Sequence, residues 1–166
     1  EVHVLPATAS VEQVREVRPD GVFFSNGPGD PATADHEVEL LKAVLGEGIP
    51  YFGICFGNQI FGRALGFGTY KLKYGHRSHN QPVKLTGTQR SYITSQNHGF
   101  AVDMTNLPAN LRATHVSLFD GSLQGIELTD APAFSFQGHP EASPGPHDVI
   151  PLFERFARLM AEHRSL

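Results

Sequence analysis

A single cysteine, Cys55, stands in a chain of 166 residues. One thiol cannot close an internal disulfide, so no covalent staple holds this fold and a reducing cytoplasm is the expected setting. Positive charge is also scarce. Thirteen Lys and Arg against 17 Asp and Glu give a net charge of −4, which lacks the basic footprint of a nucleic-acid binder. No apolar run approaches the length of a bilayer span and no secretory leader opens the chain, so neither a membrane protein nor an exported one is expected. Internal repeats and low-complexity segments are absent. What remains is an ordinary globular composition, 40% hydrophobic and 18% charged, in a length that suits one domain with a substantial core. Nine histidines are scattered rather than gathered into a tract. The chain opens at Glu1 without a methionine, which suggests a fragment.

Periodicity divides the chain in two. A first strand is expected over residues 2–5. Ser10-Val11-Glu12-Gln13 is a capping box and starts a short helix. Residues 21–25 read as a strand and 26–31 as a glycine- and proline-rich loop. Val38, Leu41, Val44 and Leu45 have helical spacing, closed by Gly46 and Gly48. Residues 49–54 form a strand and 58–65 a helix. This alternation predicts parallel strands joined by right-handed crossovers. Beyond it, short strands are expected at 81–85, 92–94, 111–115, Leu123–Leu128 and Ala133–Phe136, separated by turn residues and so partly antiparallel. Val149, Leu152, Phe153, Phe156, Leu159 and Met160 draw one apolar stripe on a last helix, expected to pack on the core. The fold class is therefore α/β: a three-layer, mainly parallel open sheet flanked by helices, with additional antiparallel strands.

Gly53-Ile54-Cys55-Phe56-Gly57 joins a strand to a helix. Strand, Gly-x-nucleophile-x-Gly, helix is the pattern of a nucleophile elbow: glycines flank a turn too sharp for side chains, and one side chain is lifted above the sheet. Unpaired N–H groups and the helix dipole there favour negative charge, and the anionic sulfur is the reactive form. A lone cysteine is otherwise a buried apolar filler, and the motif by itself leaves the two readings level.

Phe136-Gln137-Gly138-His139-Pro140-Glu141 follows the last expected strand. Pro140 keeps His139 out of the α region. Residues two apart in an extended segment point to one side, so Glu141 can fix the tautomer of the imidazole. Cys55 as nucleophile, His139 as base and Glu141 as orienter compose a triad. Both pieces lie just past strand ends, where sites gather in open parallel sheets. The alternatives are a surface histidine and a metal site of His139, Glu141, His147 and Asp148. That spacing fits no common zinc pattern, and Pro144 and Pro146 break any helical face. Asn26-Gly27-Pro28-Gly29-Asp30 lacks the residues of a phosphate loop and the spacing of a dinucleotide fingerprint. It is either a plain surface turn or a source of backbone N–H groups for the oxyanion of an acyl transfer, with the N–H of Phe56 as second donor.

Together these pieces resemble the class I (triad) glutamine amidotransferases, and among them the glutaminase domains of carbamoyl-phosphate synthetase small subunits. The elbow and His139-Pro140-Glu141 carry the class. The Gln96-Asn97-His98-Gly99-Phe100 block, Ser117-Leu118-Phe119-Asp120-Gly121 and the Ser143-Pro144-Gly145-Pro146-His147-Asp148 tail carry the narrower likeness. It implies that Cys55 attacks the side-chain amide of glutamine, forming a thioester that His139 and water resolve. The oxyanion would be held by Gly29 and Phe56. The substrate L-glutamine would be gripped by Gly27, Gly29, Phe56, Gln59, Asn97, Gly99 and Phe100. The ammonia would pass to a large synthetase subunit that makes carbamoyl phosphate, for arginine or pyrimidine biosynthesis. ATP and magnesium would sit on that partner, leaving no cofactor or metal in this chain.

The chain departs from the family at Phe56, where leucine is usual, and at Asn58, where histidine is common. It also lacks the family's separate N-terminal domain, and the strand and helix that ordinarily precede residue 2, so an exposed sheet edge is expected. The competing readings are an amidotransferase of another pathway, a γ-glutamyl cysteine hydrolase, and an inactive interaction module.

Overall fold

The computed structural model describes residues 1–166. Ser10 caps helix α1 (Val11–Glu16). Its hydroxyl accepts from the Gln13 N–H at 3.2 Å while Gln13 Oε1 accepts from the Ser10 N–H at 2.8 Å, the reciprocal box read in the sequence. Strand β1 (Val22–Phe24) leads through the Gly27 loop and a 3-10 turn at Pro31–Thr33 into α2 (Asp35–Gly46). Strand β2 (Tyr51–Ile54) ends at Cys55, and α3 (Phe56–Ala64) begins directly after it. Then follow β3 (Gly68–Leu85), β4 (Ser91–Asp103), β5 (Leu111–Ser117), β6 (Leu123–Leu128), β7 (Ala133–Phe136) and α4 (Pro151–Arg164).

The seven strands form one sheet in the order β1-β2-β7-β6-β5-β3-β4. β1, β2 and β7 run parallel, as helical crossovers require. The remaining pairings are antiparallel. The α/β sheet flanked by helices is the expected one, but it is not mainly parallel: two of its six pairings are parallel and four antiparallel, because β3 to β7 follow one another without an intervening helix. Side chains on β2 alternate between its faces. Tyr51 joins Val38, Leu41, Ile60 and Phe61 in the core beneath α2 and α3, whereas Phe52 and Ile54 join Phe134, Phe136 and Phe156 beneath α4. Two cores on opposite faces of one sheet make the three layers. The apolar stripe of α4 belongs to the second core, where Phe156 and Val149 are buried.

Two stretches differ from the sequence reading. Residues 2–5 are not a strand: Val2 and Val4 are 88% and 90% exposed, and β1 pairs only with β2. An extended segment gains ladder bonds only where another strand lies beside it. Conversely, β3 and β4 extend far beyond the expected 81–85 and 92–94. Residues 68–80 of β3 are almost all outside the core, so they carry no period-2 apolar signal even though the backbone is paired. No helix is long and apolar enough to cross a membrane.

Candidate active site

Cys55 occupies the turn between β2 and α3 with φ 51° and ψ −107°. Positive φ costs a non-glycine residue on the order of 1–3 kcal/mol and persists only where the surroundings enforce it. Here they do. The Cys55 N–H donates to Phe136 O at 2.9 Å, carrying the β2–β7 ladder up to the turn, and Cys55 O accepts from the N–H groups of Asn58 and Gln59 at 3.0 and 3.2 Å, the first bonds of α3. The flanking glycines leave no alternative. A Cβ on Gly53 would lie 2.8 Å from the Gly57 backbone, and one on Gly57 would lie 2.4 Å from Phe24 O. The thiol itself is buried, with Sγ 3.7 Å from Asn97 O.

His139 reaches this place from the chain beyond β7. Its N–H donates to Ser95 O at 2.8 Å, which ties the segment to β4. Nδ1 lies 2.8 Å from Glu141 Oε1. A carboxylate only accepts, so Nδ1 carries a proton. Nε2 is buried and has no hydrogen-bond partner. Cys55 is the largest influence on the ring, followed by Glu141; together they outweigh burial and raise the imidazole from 6.5 to about 10. With Nδ1 committed to Glu141, the interaction with the sulfur falls to Nε2, at a range longer than a formed bond. Catalytic contacts are commonly loose before substrate arrives. Burial opposes the Glu141 charge, but the bond from His139, the Glu141 backbone N–H and the nearby imidazolium charge together outweigh it and hold this carboxyl below its ordinary 4.5.

This order of influences gives a prediction. Removing Cys55 as alanine lowers the His139 pKa further than Glu141→Gln does, read by NMR titration of the imidazole C2–H. A raised folded-state pKa stabilises the fold fully below the ordinary 6.5, and that contribution is lost as pH rises to about 10. Both variants therefore complete the loss at lower pH. A larger downward shift in Glu141→Gln than in Cys55→Ala contradicts the geometry.

The structure brings other sequence-predicted residues to the same place. Gly27 lies over Phe56: a Cβ there would meet the ring at 3.6 Å. Gly29 is exposed at φ 105°, a conformation that suits glycine, and its N–H makes no bond within the chain. Phe56 is the first residue of α3, so its N–H has no intrahelical partner. Arg63 on α3 anchors the far end of the Gly27–Asp30 loop, donating to Pro31 O at 3.0 Å and to Asp35 at 2.8 Å. On β4, the Asn97 carbonyl faces Cys55 and Gly99 lies against Arg77. Gln59 is buried, and its Nε2 donates to Phe100 O at 2.9 Å and to Gln137 Oε1 at 3.3 Å. Its amide nitrogen thus holds β4 against α3, while its Oε1 makes no bond within the chain. The alternative metal grouping is not assembled. Asp148 accepts from the Ile93 N–H at 2.8 Å, and no three His, Cys, Asp or Glu side chains are placed to hold an ion. Two surface clefts, one lined by Arg15, Arg18 and Arg164 and the other by Arg112, His115 and Arg155, contain none of the triad.

A polar hub beneath the elbow is invisible in the sequence. Asn58 is fully buried; its Nδ2 donates to Gln137 Oε1 at 3.1 Å and its Oδ1 accepts from Ser135 Oγ at 2.7 Å. The asparagine therefore ties α3 to β7, the two elements that lead to Cys55 and His139. Asn58→Ala strands a buried hydroxyl and loses a donor to Gln137, so denaturant unfolding should show a loss of about 1–3 kcal/mol. An unchanged midpoint would remove the hub from the account.

A family profile described as Glutamine amidotransferase class-I matches residues 1–159. The chain belongs to the class-I glutamine amidotransferases. Among curated relatives, this amidotransferase chain is 58% identical to the carbamoyl phosphate synthase small chain of Streptomyces coelicolor, over 99% of its own length and 45% of that protein's. It is 60% identical to the protein of the same name from Vibrio vulnificus, over 98% of its own length and 43% of the relative's. The chain thus spans less than half the length of these relatives. In fold it resembles a Thermoplasma acidophilum protein described as belonging to a GMP synthase, with a TM-score of 0.80 at 20% identity, covering 98% of this chain and 82% of that one. It also resembles a glutamine amidotransferase from Thermotoga maritima, with a TM-score of 0.61 at 20% identity, covering 86% and 65%.

Proposed function

We propose that this domain hydrolyses the side-chain amide of glutamine and delivers the ammonia to a synthetase subunit for carbamoyl phosphate formation. The observation that carries the reading is the pairing of the strained, buried Cys55 with a His139 ring whose Nδ1 is fixed by Glu141 and whose Nε2 is unpartnered. The relatives' name supports the choice of acceptor reaction.

In this scheme Cys55 Sγ adds to the amide carbon, and the N–H groups of Gly29 and Phe56 bind the oxyanion that forms. His139 Nε2 gives its proton to the amide nitrogen, the C–N bond breaks, and ammonia leaves behind a glutamyl thioester. Water then attacks the thioester with Nε2 taking its proton, the C–S bond breaks, and glutamate departs. Glu141 keeps the ring in the tautomer that faces the sulfur throughout. Asn97, Gly99, Phe100 and the free Oε1 of Gln59 line the substrate's place beside Gly27. No step needs a metal or cofactor in this chain; ATP and magnesium act on the partner subunit. Residues 1–166 act as a single amidotransferase domain in the cytoplasm.

The test is acid quench of the full-length small chain, assembled with its synthetase subunit, during turnover of glutamine. Mass spectrometry should find a glutamyl adduct on the peptide bearing Cys55. Turnover with no adduct on that peptide defeats the scheme. Glu141→Gln should slow glutamine hydrolysis but leave it measurable, about 10²–10⁴-fold above the level of a variant without the thiol. Equal loss in both variants would show that Glu141 does more than orient.

A further inference from the structure

Behind residues 96–100 of β4 runs a line of polar groups that the scheme above does not use. Asp120, on the turn between β5 and β6, accepts on Oδ1 from the Ser122 N–H at 3.0 Å and from Ser122 Oγ at 2.6 Å. Its Oδ2 lies 2.7 Å from His76 Nε2. His76 Nδ1 is 3.1 Å from His98 Nε2, and His98 Nδ1 is 2.7 Å from Phe100 O. Both histidines are 6% exposed.

The ends of this line fix its protons. A carboxylate and a carbonyl only accept, so His76 Nε2 and His98 Nδ1 are both N–H. Between the rings one nitrogen must donate to the other, which adds a third proton. Gln96 Oε1, 2.8 Å from His98 Nε2, is a further acceptor beside the central proton. Burial opposes the charge of Asp120, but the bonds from Ser122 and His76 prevail and hold it at about 2. Burial pushes His98 down to about 4.

The line ends on a carbonyl that matters. Phe100 O also accepts from Gln59 Nε2 at 2.9 Å, so side chains occupy both of its lone pairs. The β3–β4 ladder is irregular here: Lys71 pairs with Phe100 and His76 with His98, so residues 72–75 stand opposite Gly99, with Gly75 at φ 74°. A bulge of this size loosens backbone control over the strand. Side-chain bonds take its place in the segment whose Asn97 carbonyl faces the Cys55 thiol.

We propose that Asp120 and His76 are positioning residues for glutamine hydrolysis, acting through His98 and the Phe100 carbonyl to hold residues 97–100 against Cys55. The inference rests on the proposed glutaminase reading. It assigns these two side chains an effect on substrate binding rather than on the chemical step.

The experiment measures glutamine hydrolysis by the full-length small chain in complex with its synthetase subunit. Asp120→Asn and His76→Gln should each raise KM for glutamine about tenfold or more, with kcat within about threefold of wild type. A wild type that hydrolyses no glutamine overturns the glutaminase reading and this inference with it. An active wild type with KM unchanged in both variants overturns only the inference, as does a fall in kcat at constant KM. Because either variant can fail to fold, the wild-type protein supplies a second measurement. Spectra of ¹⁵N-histidine-labelled protein should show protons on both His98 Nδ1 and His76 Nε2, and an unprotonated His98 Nδ1 overturns the inference.

Discussion

On the proposed glutaminase reading, replacing Cys55 by serine should abolish glutamine-dependent carbamoyl phosphate synthesis in the assembled enzyme and leave ammonia-dependent synthesis at the wild-type level. The expected loss is on the order of 10⁴-fold or more, as for removal of an attacking atom in other covalent enzymes. Serine is nearly the size of cysteine, so the elbow keeps its shape: the Cys55 N–H bond to Phe136 O and the Cys55 O bonds that open α3 are made by backbone. What changes is the nucleophile. A hydroxyl is far harder to ionise than a thiol, and the His139 ring that pairs with the sulfur has no comparable anion to meet. Ammonia supplied from solution bypasses amide hydrolysis, so the partner's chemistry is untouched. Loss of both activities would place Cys55 in assembly rather than catalysis. Retention of glutamine-dependent synthesis would remove it from the reaction.

The elbow was legible in the sequence because it is local. Five consecutive residues dictate a turn, and the glycines at 53 and 57 are required by contacts that any strand-turn-helix of this sharpness makes. His139 and Glu141 were legible because they lie only two residues apart, although the segment closes as a turn, with the Ala142 N–H donating to His139 O at 3.1 Å, rather than running extended. Strands β6 and β7 were legible as short segments with apolar residues at alternate or near-alternate positions between turns, and both are almost wholly buried. The long β3–β4 ribbon was not, because in its outer half the β3 strand is almost wholly outside the core and the few buried positions include histidines, so no period-2 apolar pattern marks it. The Asn58–Gln137 hub and the Asp120–His76–His98 line were likewise unreadable. Their members are brought together by tertiary folding from positions 79 and 44 residues apart, and polar residues at such separations carry no pattern that marks them as partners. The sequence near Val2 misled in the opposite sense, since an apolar, extended-looking run becomes a strand only beside another strand.

Gly57→Ala should slow hydrolysis about 10²-fold, by moving Cys55 instead of removing it. Gly57 is buried in the first turn of α3, and a methyl group there would sit 2.4 Å from the carbonyl oxygen of Phe24 on β1. That neighbour is backbone held in a parallel ladder by Tyr51, Phe52 and Gly53 of β2, so it cannot swing aside as a side chain would. α3 must lift instead. The lift strains the bond from the buried Tyr51 hydroxyl to Gly57 O at 2.8 Å and shifts the turn that carries Cys55. Overpacking of this kind costs about 1–3 kcal/mol of stability, and a displacement near 1 Å at a reacting atom costs about 10²-fold in rate. The two effects separate experimentally. Gly46→Ala, at a position where an added methyl meets nothing within 4 Å, serves as the control for a glycine change that should leave both stability and turnover near wild type. Gly57→Ala, assayed well below its own unfolding midpoint, should show reduced glutamine hydrolysis and a slower first-order rate of Cys55 alkylation, because the thiol no longer lies where His139 reaches it. Wild-type turnover in Gly57→Ala would mean that α3 accommodates the methyl without moving Cys55. The close approach of helix to strand would then not be what fixes the nucleophile.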